Sequence, residues 1–260
     1  AYCLSGGLRA SIWTDAAQSI LMMGAMLLLL GAAINGAGGI SLFLEKLDQV
    51  SPTYLDLGTQ RFGSLGATAL FAGGWLFNGL GVVGQPQVMV RFMALDNSQH
   101  MKKTGIYYFL WSSCFLSVTF VVGLSARLFI TNASGFDPEL ALPTLAQNLL
   151  PAVAVGVVLG GIFSATLSTI DSQVLSCSAV LSEDFKLGKG VQAKRLSTLA
   201  IVAVSLAIAL FAPANVFTLV SLAWSALACT TGPLLTVHAP GMRPRSPLSS
   251  LRLSPHPSLI

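Results

Sequence analysis

Six apolar blocks, most of them long enough to cross a bilayer, constrain this chain more than any other feature. A spanning helix needs about 20 predominantly apolar residues. The blocks run over 11–34, 64–90, 105–128, 149–181, 197–211 and 216–237, the fifth being short enough to need flanking residues. Only 9% of the 260 residues are charged and 53% are hydrophobic, whereas a soluble domain carries roughly 25% charge. Too few charges exist to cover a water-facing globule, so an all-α, polytopic membrane protein with about six transmembrane helices is expected. Cys3, Cys114, Cys177 and Cys229 are scattered without a C-x-x-C pair, which implies neither a disulfide framework nor a zinc site.

The net charge of +4 is a matter of topology and not of nucleic acid. If each block crosses once, Arg9, Arg91, Lys102, Lys103, Lys186, Lys189, Lys194, Arg195, Arg243, Arg245 and Arg252 share one face, and Lys46, Arg61 and Arg127 the other. That bias places the 91–104 and 182–196 loops in the cytoplasm. The sequon at Asn132 would then lie outside. The chain opens at Ala1 without a methionine, beside a polar stretch that leads straight into a hydrophobic helix, and reads as a fragment, with a transmembrane domain over 1–237. Residues 238–260, rich in Pro, Ser and Arg, read as a disordered or out-of-frame tail.

Polar and helix-breaking residues inside the blocks mark places where a helix does more than span. The second block contains Gly79, Gly81, Gly84 and Pro86 near its centre. Glycine adds backbone freedom and proline removes a donor, so an unwound middle is expected, of the kind that holds substrate in transporters. These glycines satisfy G-x-G-x-x-G, but no strand precedes them and dinucleotide binding is excluded. Gly156 and Gly160 form a G-x-x-x-G expected to let another helix approach.

The fourth block carries Ser164, Thr166, Ser168, Thr169, Ser172, Ser176 and Ser178 together with Asp171. A lone hydroxyl usually bonds back to its own helix. A cluster beside a carboxylate suits a hard cation such as sodium, and Asp171 is a candidate for an ion pathway. Asp15, beside Trp13 and Gln18, is explained as an interfacial anchor. His100, His238 and His256 lie outside the blocks, and neither H-E-x-x-H nor G-x-S-x-G occurs. An intramembrane hydrolase is therefore not expected, and no enzyme activity is assigned.

Four segments in order, GGLRASIWTDAAQ, GLGVVGQPQVMVRFMALD, SATLSTIDSQVLSCSAVLSEDF and LVSLAWSALACTTGP, carry a resemblance to the sodium:solute symporter family over roughly residues 5–236, most closely to its sodium/proline branch. The resemblance implies a core of two inverted five-helix repeats, of which this chain resembles the last helix of the first repeat and all of the second. It implies sodium-coupled import of a small solute, proline or a related amino acid, by alternating access across the plasma (inner) membrane. A carboxylate or other solute, or a non-transporting sensor module, stays open as the alternative. Sodium would be the coupling ion and no cofactor is implied. The sodium ligands that match are the Ala165 carbonyl and the Ser168 and Thr169 hydroxyls. Solute contacts would come from Asn78, Val82, Gln85 and Pro86. The first two stand where proline-specific relatives place aromatics.

Overall fold

The computed structural model describes residues 2–51, 54–56, 62–82, 84–130, 135–183, 191–211 and 215–238. The described chain is helical throughout, with no strand among the described residues, as a backbone in lipid must be when every N–H and C=O needs an internal partner. The helices are α1 (Tyr2–Ala37), α2 (Ile40–Gln49), α3 (Leu65–Gly79), α4 (Pro86–Met93), α5 (His100–Phe129), α6 (Ala141–Leu149), α7 (Ala152–Glu183), α8 (Val191–Phe211) and α9 (Val216–His238). Four stretches are long and apolar enough to span: 9–37, 65–82, 98–129 and 152–181. Shorter apolar helices cover 195–211 and 216–230. Each of the six blocks carries a helix, the second and fourth with interruptions, and α8 begins at Val191, taking in the flanking residues that the fifth block needs. The expected tail and the sequon at Asn132 lie outside the described residues.

Two short helices were not expected. α1 stops where Gly38 and Gly39 take φ values of 97° and 109°. Gly39 N–H then reaches the Ile34 carbonyl and Gly38 N–H that of Asn35, the crossed pair of bonds that closes a helix through a left-handed glycine. The chain turns directly into α2, whose Lys46 Nζ donates to the Ala37 carbonyl at 2.9 Å. Phe43 and Leu47 of α2 are buried with Ala33 and Ala37. Tyr54, just beyond, donates to the Leu124 carbonyl at 3.0 Å. Burial pushes its phenol above the ordinary range, partly opposed by the charge of Arg127. The other, α6, is separated from α7 by Leu150 and Pro151, so the fourth block begins with the end of one helix and continues in another.

The scaffold is the antiparallel pair of α1 and α7, with α5 and α6 packed against it. Ala25 and Leu29 of α1, Val122 of α5, Leu145 and Ala146 of α6 and Val158 of α7 form one buried cluster. The two helices approach closely at Gly161, where a Cβ would fall 2.6 Å from Ala25 Cβ. The expected contact through Gly156 and Gly160 does not form: a Cβ on either meets nothing within 4 Å. Both lie on faces of α7 turned away from α1, so the motif's spacing is present but its orientation is not.

α9 packs chiefly along α3 and the turn that follows it. Phe71, Trp75 and Phe217 stack in sequence, with Trp75 and Phe217 ring centroids 5.9 Å apart. Large apolar side chains such as Leu70 and Leu76 stay about three-quarters exposed, the reverse of a water-soluble surface.

Candidate functional site

The second block breaks where its glycines and proline stand. α3 ends at Gly79, a single 3-10 turn covers Leu80–Val82, and α4 starts at Pro86. Gln85 caps α4 in an extended conformation, φ −76° and ψ 121°. Proline enforces this in two ways: its ring excludes the helical region for the residue before it, and at the first helical position its missing N–H costs nothing. Gly81 has a second reason to be glycine. A Cβ there would sit 2.2 Å from the Trp224 carbonyl oxygen, so α9 crosses the break with backbone nearly on backbone. One turn earlier, Ser225 Oγ donates to Asn78 Oδ1 at 3.3 Å. Of the residues named for the solute, Asn78 therefore meets α9, Val82 lies in the 3-10 turn, Gln85 Oε1 accepts from Gln87 at 2.8 Å, and Pro86 starts α4.

On α7 the hydroxyls divide. Thr166 Oγ1 donates to the Ile162 carbonyl at 3.1 Å and Thr169 Oγ1 to that of Ala165 at 3.0 Å. Ser172 and Ser176 donate to the carbonyls four residues earlier at 2.7 and 2.8 Å. Ser168 behaves differently: its Oγ donates across to Asp15 Oδ1 of α1 at 2.5 Å. The three oxygens named for sodium occupy one stretch of helix. Thr169 and the Ala165 carbonyl bond to each other, and Ser168 turns toward α1.

Asp15, expected as an interfacial anchor, has partners that sequence reasoning did not foresee. Its side chain is only 15% exposed and gathers three helices: Ser11 from its own turn at 3.3 Å, Ser168 from α7, and the guanidinium of Arg91 from α4. Arg91 Nη2 also donates to Ser172 Oγ at 2.6 Å. A carboxylate shielded from water needs such partners to stay charged. The available signal was Asp15's position one turn inside an apolar block. Asp171 stands apart: it is half-buried and makes no hydrogen bond or ion pair among the described residues.

Beside Arg91 lies a cleft of about 200 Å³ lined by residues that include Ser11, Gln87, Ser172 and Ser176. Arg91 thus lines this cleft and also binds Asp15. Within the break Gly84 N–H donates to the Gly81 carbonyl and Gln85 N–H to that of Val82. The break and the hydroxyl-bearing face of α7 are joined through the short helix α4.

The model of the sodium:solute symporter family matches residues 1–239. The chain is 30% identical over 249 residues to the sodium/proline symporter of Salmonella typhimurium and 32% identical over 250 residues to sodium/proline symporter 2 of Staphylococcus saprophyticus. A sodium/proline symporter of Staphylococcus aureus is 31% identical over 248 residues. These alignments take in 90% of this chain but 47–48% of each relative, so the chain spans about half the length of the curated relatives it matches. No solved structure gives a significant match.

Proposed function

The chain belongs to the sodium:solute symporter family, and on that premise we propose that it forms part of a sodium-coupled symporter importing a small organic solute by alternating access. The observation that carries the reading is the break between Gly79 and Pro86 inside an otherwise spanning block, crossed by α9 at Gly81. An unwound segment leaves backbone groups free to meet a solute where a continuous helix would offer none. Four stretches long and apolar enough to cross a bilayer, with the family match, make the chain a multi-pass membrane protein, and it is proposed to lie in the plasma membrane. The chain's helices are proposed to be the end of one five-helix repeat and the whole of its inverted partner.

Sodium is proposed to bind the Ala165 carbonyl and the Ser168 and Thr169 hydroxyls. A dehydrated ion in mid-membrane needs replacement oxygens, and these three lie within four residues of one helix. The ion would exchange the Thr169 to Ala165 bond for its own coordination. One sodium entering is worth about 2.3 kcal/mol per 100 mV. Each 1.4 kcal/mol is about tenfold in ratio, so such a potential concentrates a solute by tens of fold. The names of the relatives support proline or a related amino acid as the solute, with Asn78, Val82, Gln85 and Pro86 as its contacts. No catalytic role is assigned to any residue.

The test is uptake of labelled proline by vesicles carrying the protein, with sodium or choline outside and other amino acids and carboxylates as competitors. Ser168→Ala and Thr169→Ala are expected to raise the sodium concentration for half-maximal uptake, while Thr169→Ser, which keeps the oxygen, changes it little. Normal sodium dependence in both alanine variants would show that these hydroxyls serve only their own helix.

A further inference from the structure

Helix α2 has no part in the site as described, and it is too short to cross a membrane. Its ten residues rise about 15 Å, against a hydrocarbon core of about 30 Å. Yet two of its large apolar side chains, Ile40 and Leu44, stay 63% and 56% exposed, one turn apart on the same side of the helix. A side turned to water would carry polar residues instead.

The neighbours of α2 locate it. The span of α1 ends at Ala37, and α2 begins three residues later. Phe43 and Leu47 pack on Ala33 and Ala37 of α1, with Val121, Leu124 and Leu128 of α5 alongside. The helix therefore lies across the ends of two spans. Two side chains mark the same level: Lys46 donates to the Ala37 carbonyl, and Tyr54 to that of Leu124, with the charge of Arg127 near its phenol. Lysine, arginine and tyrosine gather where a membrane meets water.

Around the axis of α2, at about 100° per residue, four sides separate. Phe43 and Leu47 face α1 and α5. Ser41, Glu45, Asp48 and Gln49, all exposed, fill an arc about 100° wide on the opposite side. Leu42 holds one flank, its Cδ1 3.0 Å from where a Cβ on Gly38 would sit, so it covers the turn out of α1. Ile40 and Leu44 hold the other flank and cover nothing.

We propose that α2 is an interfacial helix, lying in the plane of the membrane with Ile40 and Leu44 set into the boundary between lipid headgroups and acyl chains. Lipid is the occupant because the two spans beneath carry exposed apolar side chains of their own, such as Leu27 of α1 and Leu116 and Phe120 of α5, and the flank of α2 continues that surface at its edge. The attachment is apolar. Glu45 and Asp48 outnumber Lys46, whose ammonium is held by α1, so headgroup charge does not hold the helix down. In this position α2 pins the end of α1, and the contact of α1 with α5, to the membrane surface.

The test uses single cysteines in a background with the native cysteines replaced by serine: Ile40→Cys, Leu44→Cys, Glu45→Cys and Asp48→Cys. All four positions are exposed, so a nitroxide attached there displaces nothing from the core. The protein is placed in vesicles of phosphatidylethanolamine and phosphatidylglycerol. Collisions of each label with oxygen, which concentrates in lipid, and with a neutral nickel chelate, which stays in water, are then compared. The ratio of oxygen to nickel collisions is expected to be several-fold higher at the first two positions than at the last two. An equal ratio at all four would place the whole helix in one medium. Labels at the first two positions shielded from both reagents would show that protein covers the flank. Either result overturns the proposal.

Discussion

The Arg91 guanidinium bridges the Asp15 carboxylate of α1 and the Ser172 hydroxyl of α7, so the short helix α4 is fastened to both scaffold helices by a single side chain. Removing it leaves Asp15, 15% exposed, without its countercharge. Breaking a fully buried pair costs about 3–5 kcal/mol. Arg91 is 38% exposed and water screens part of the interaction, so Arg91→Gln is expected to cost about 1–2 kcal/mol. Thermal unfolding in detergent checks this. The Asp15→Asn and Arg91→Gln double variant is expected to be more stable than the two single losses summed, and strict additivity would mean that the two groups do not interact.

The glycines of the break and of the scaffold should divide sharply under alanine substitution. Gly81→Ala would press a methyl onto the Trp224 carbonyl at 2.2 Å and Gly161→Ala would press one onto Ala25 at 2.6 Å. Both require helices to move apart, at a cost of about 1–3 kcal/mol each. Gly74→Ala and Gly160→Ala meet nothing within 4 Å and should be neutral or stabilising by up to about 1 kcal/mol. Melting temperatures of the four variants give the comparison, and equal losses across them would contradict the packing described.

Much of this architecture was open to reading in the chain, and the reasons differ from place to place. The spans follow from hydropathy, which needs no partner to be recognised. The break follows from Gly79, Gly81, Gly84 and Pro86, whose constraints are local. Asp15 escaped because its partners lie 76 and 153 residues away, and nothing in the neighbourhood of WTDAAQ shows that Arg91 or Ser168 will come to meet it. The glycine contact escaped for a related reason. Gly156, Gly160 and Gly161 are alike as letters, and only the register of α7 on α1 decides which one touches. α6 was hidden because Thr144, Gln147 and Asn148 interrupt its apolar residues, so the fourth block is drawn only from 149 and leaves all but the last residue of this helix outside.

Pro86→Ala is a test of the break itself. Alanine removes the steric bar that keeps Gln85 extended and restores a donor at the start of α4. The segment then gains freedom to rejoin α3, and the expected result is a raised solute KM with little change in the amount of protein in the membrane. An unchanged KM would leave the break with a packing role only.

Orientation can be checked without transport. Ser98 is exposed in the turn between α4 and α5, on the face that carries most of the cations. In a background with the native cysteines replaced by serine, Ser98→Cys should react with a membrane-impermeant maleimide only after cells are opened. Labelling in intact cells would reverse the topology.

The way α7 disposes of its hydroxyls bears on how it can move. Thr166, Thr169, Ser172 and Ser176 each give their proton to a carbonyl one turn back. Such groups travel with the helix that satisfies them, so rotation or sliding past a neighbour disturbs none of these bonds, and that part of the surface is as slippery as an apolar one. Ser168 is fastened to α1 through Asp15. The polar ties between the two helices thus gather at the Asp15 carboxylate, met directly by Ser168 and, through the Arg91 guanidinium, by Ser172. A rocking motion about that point needs both attachments to be released at mid-course, and whatever competes for the Asp15 carboxylate controls when they let go.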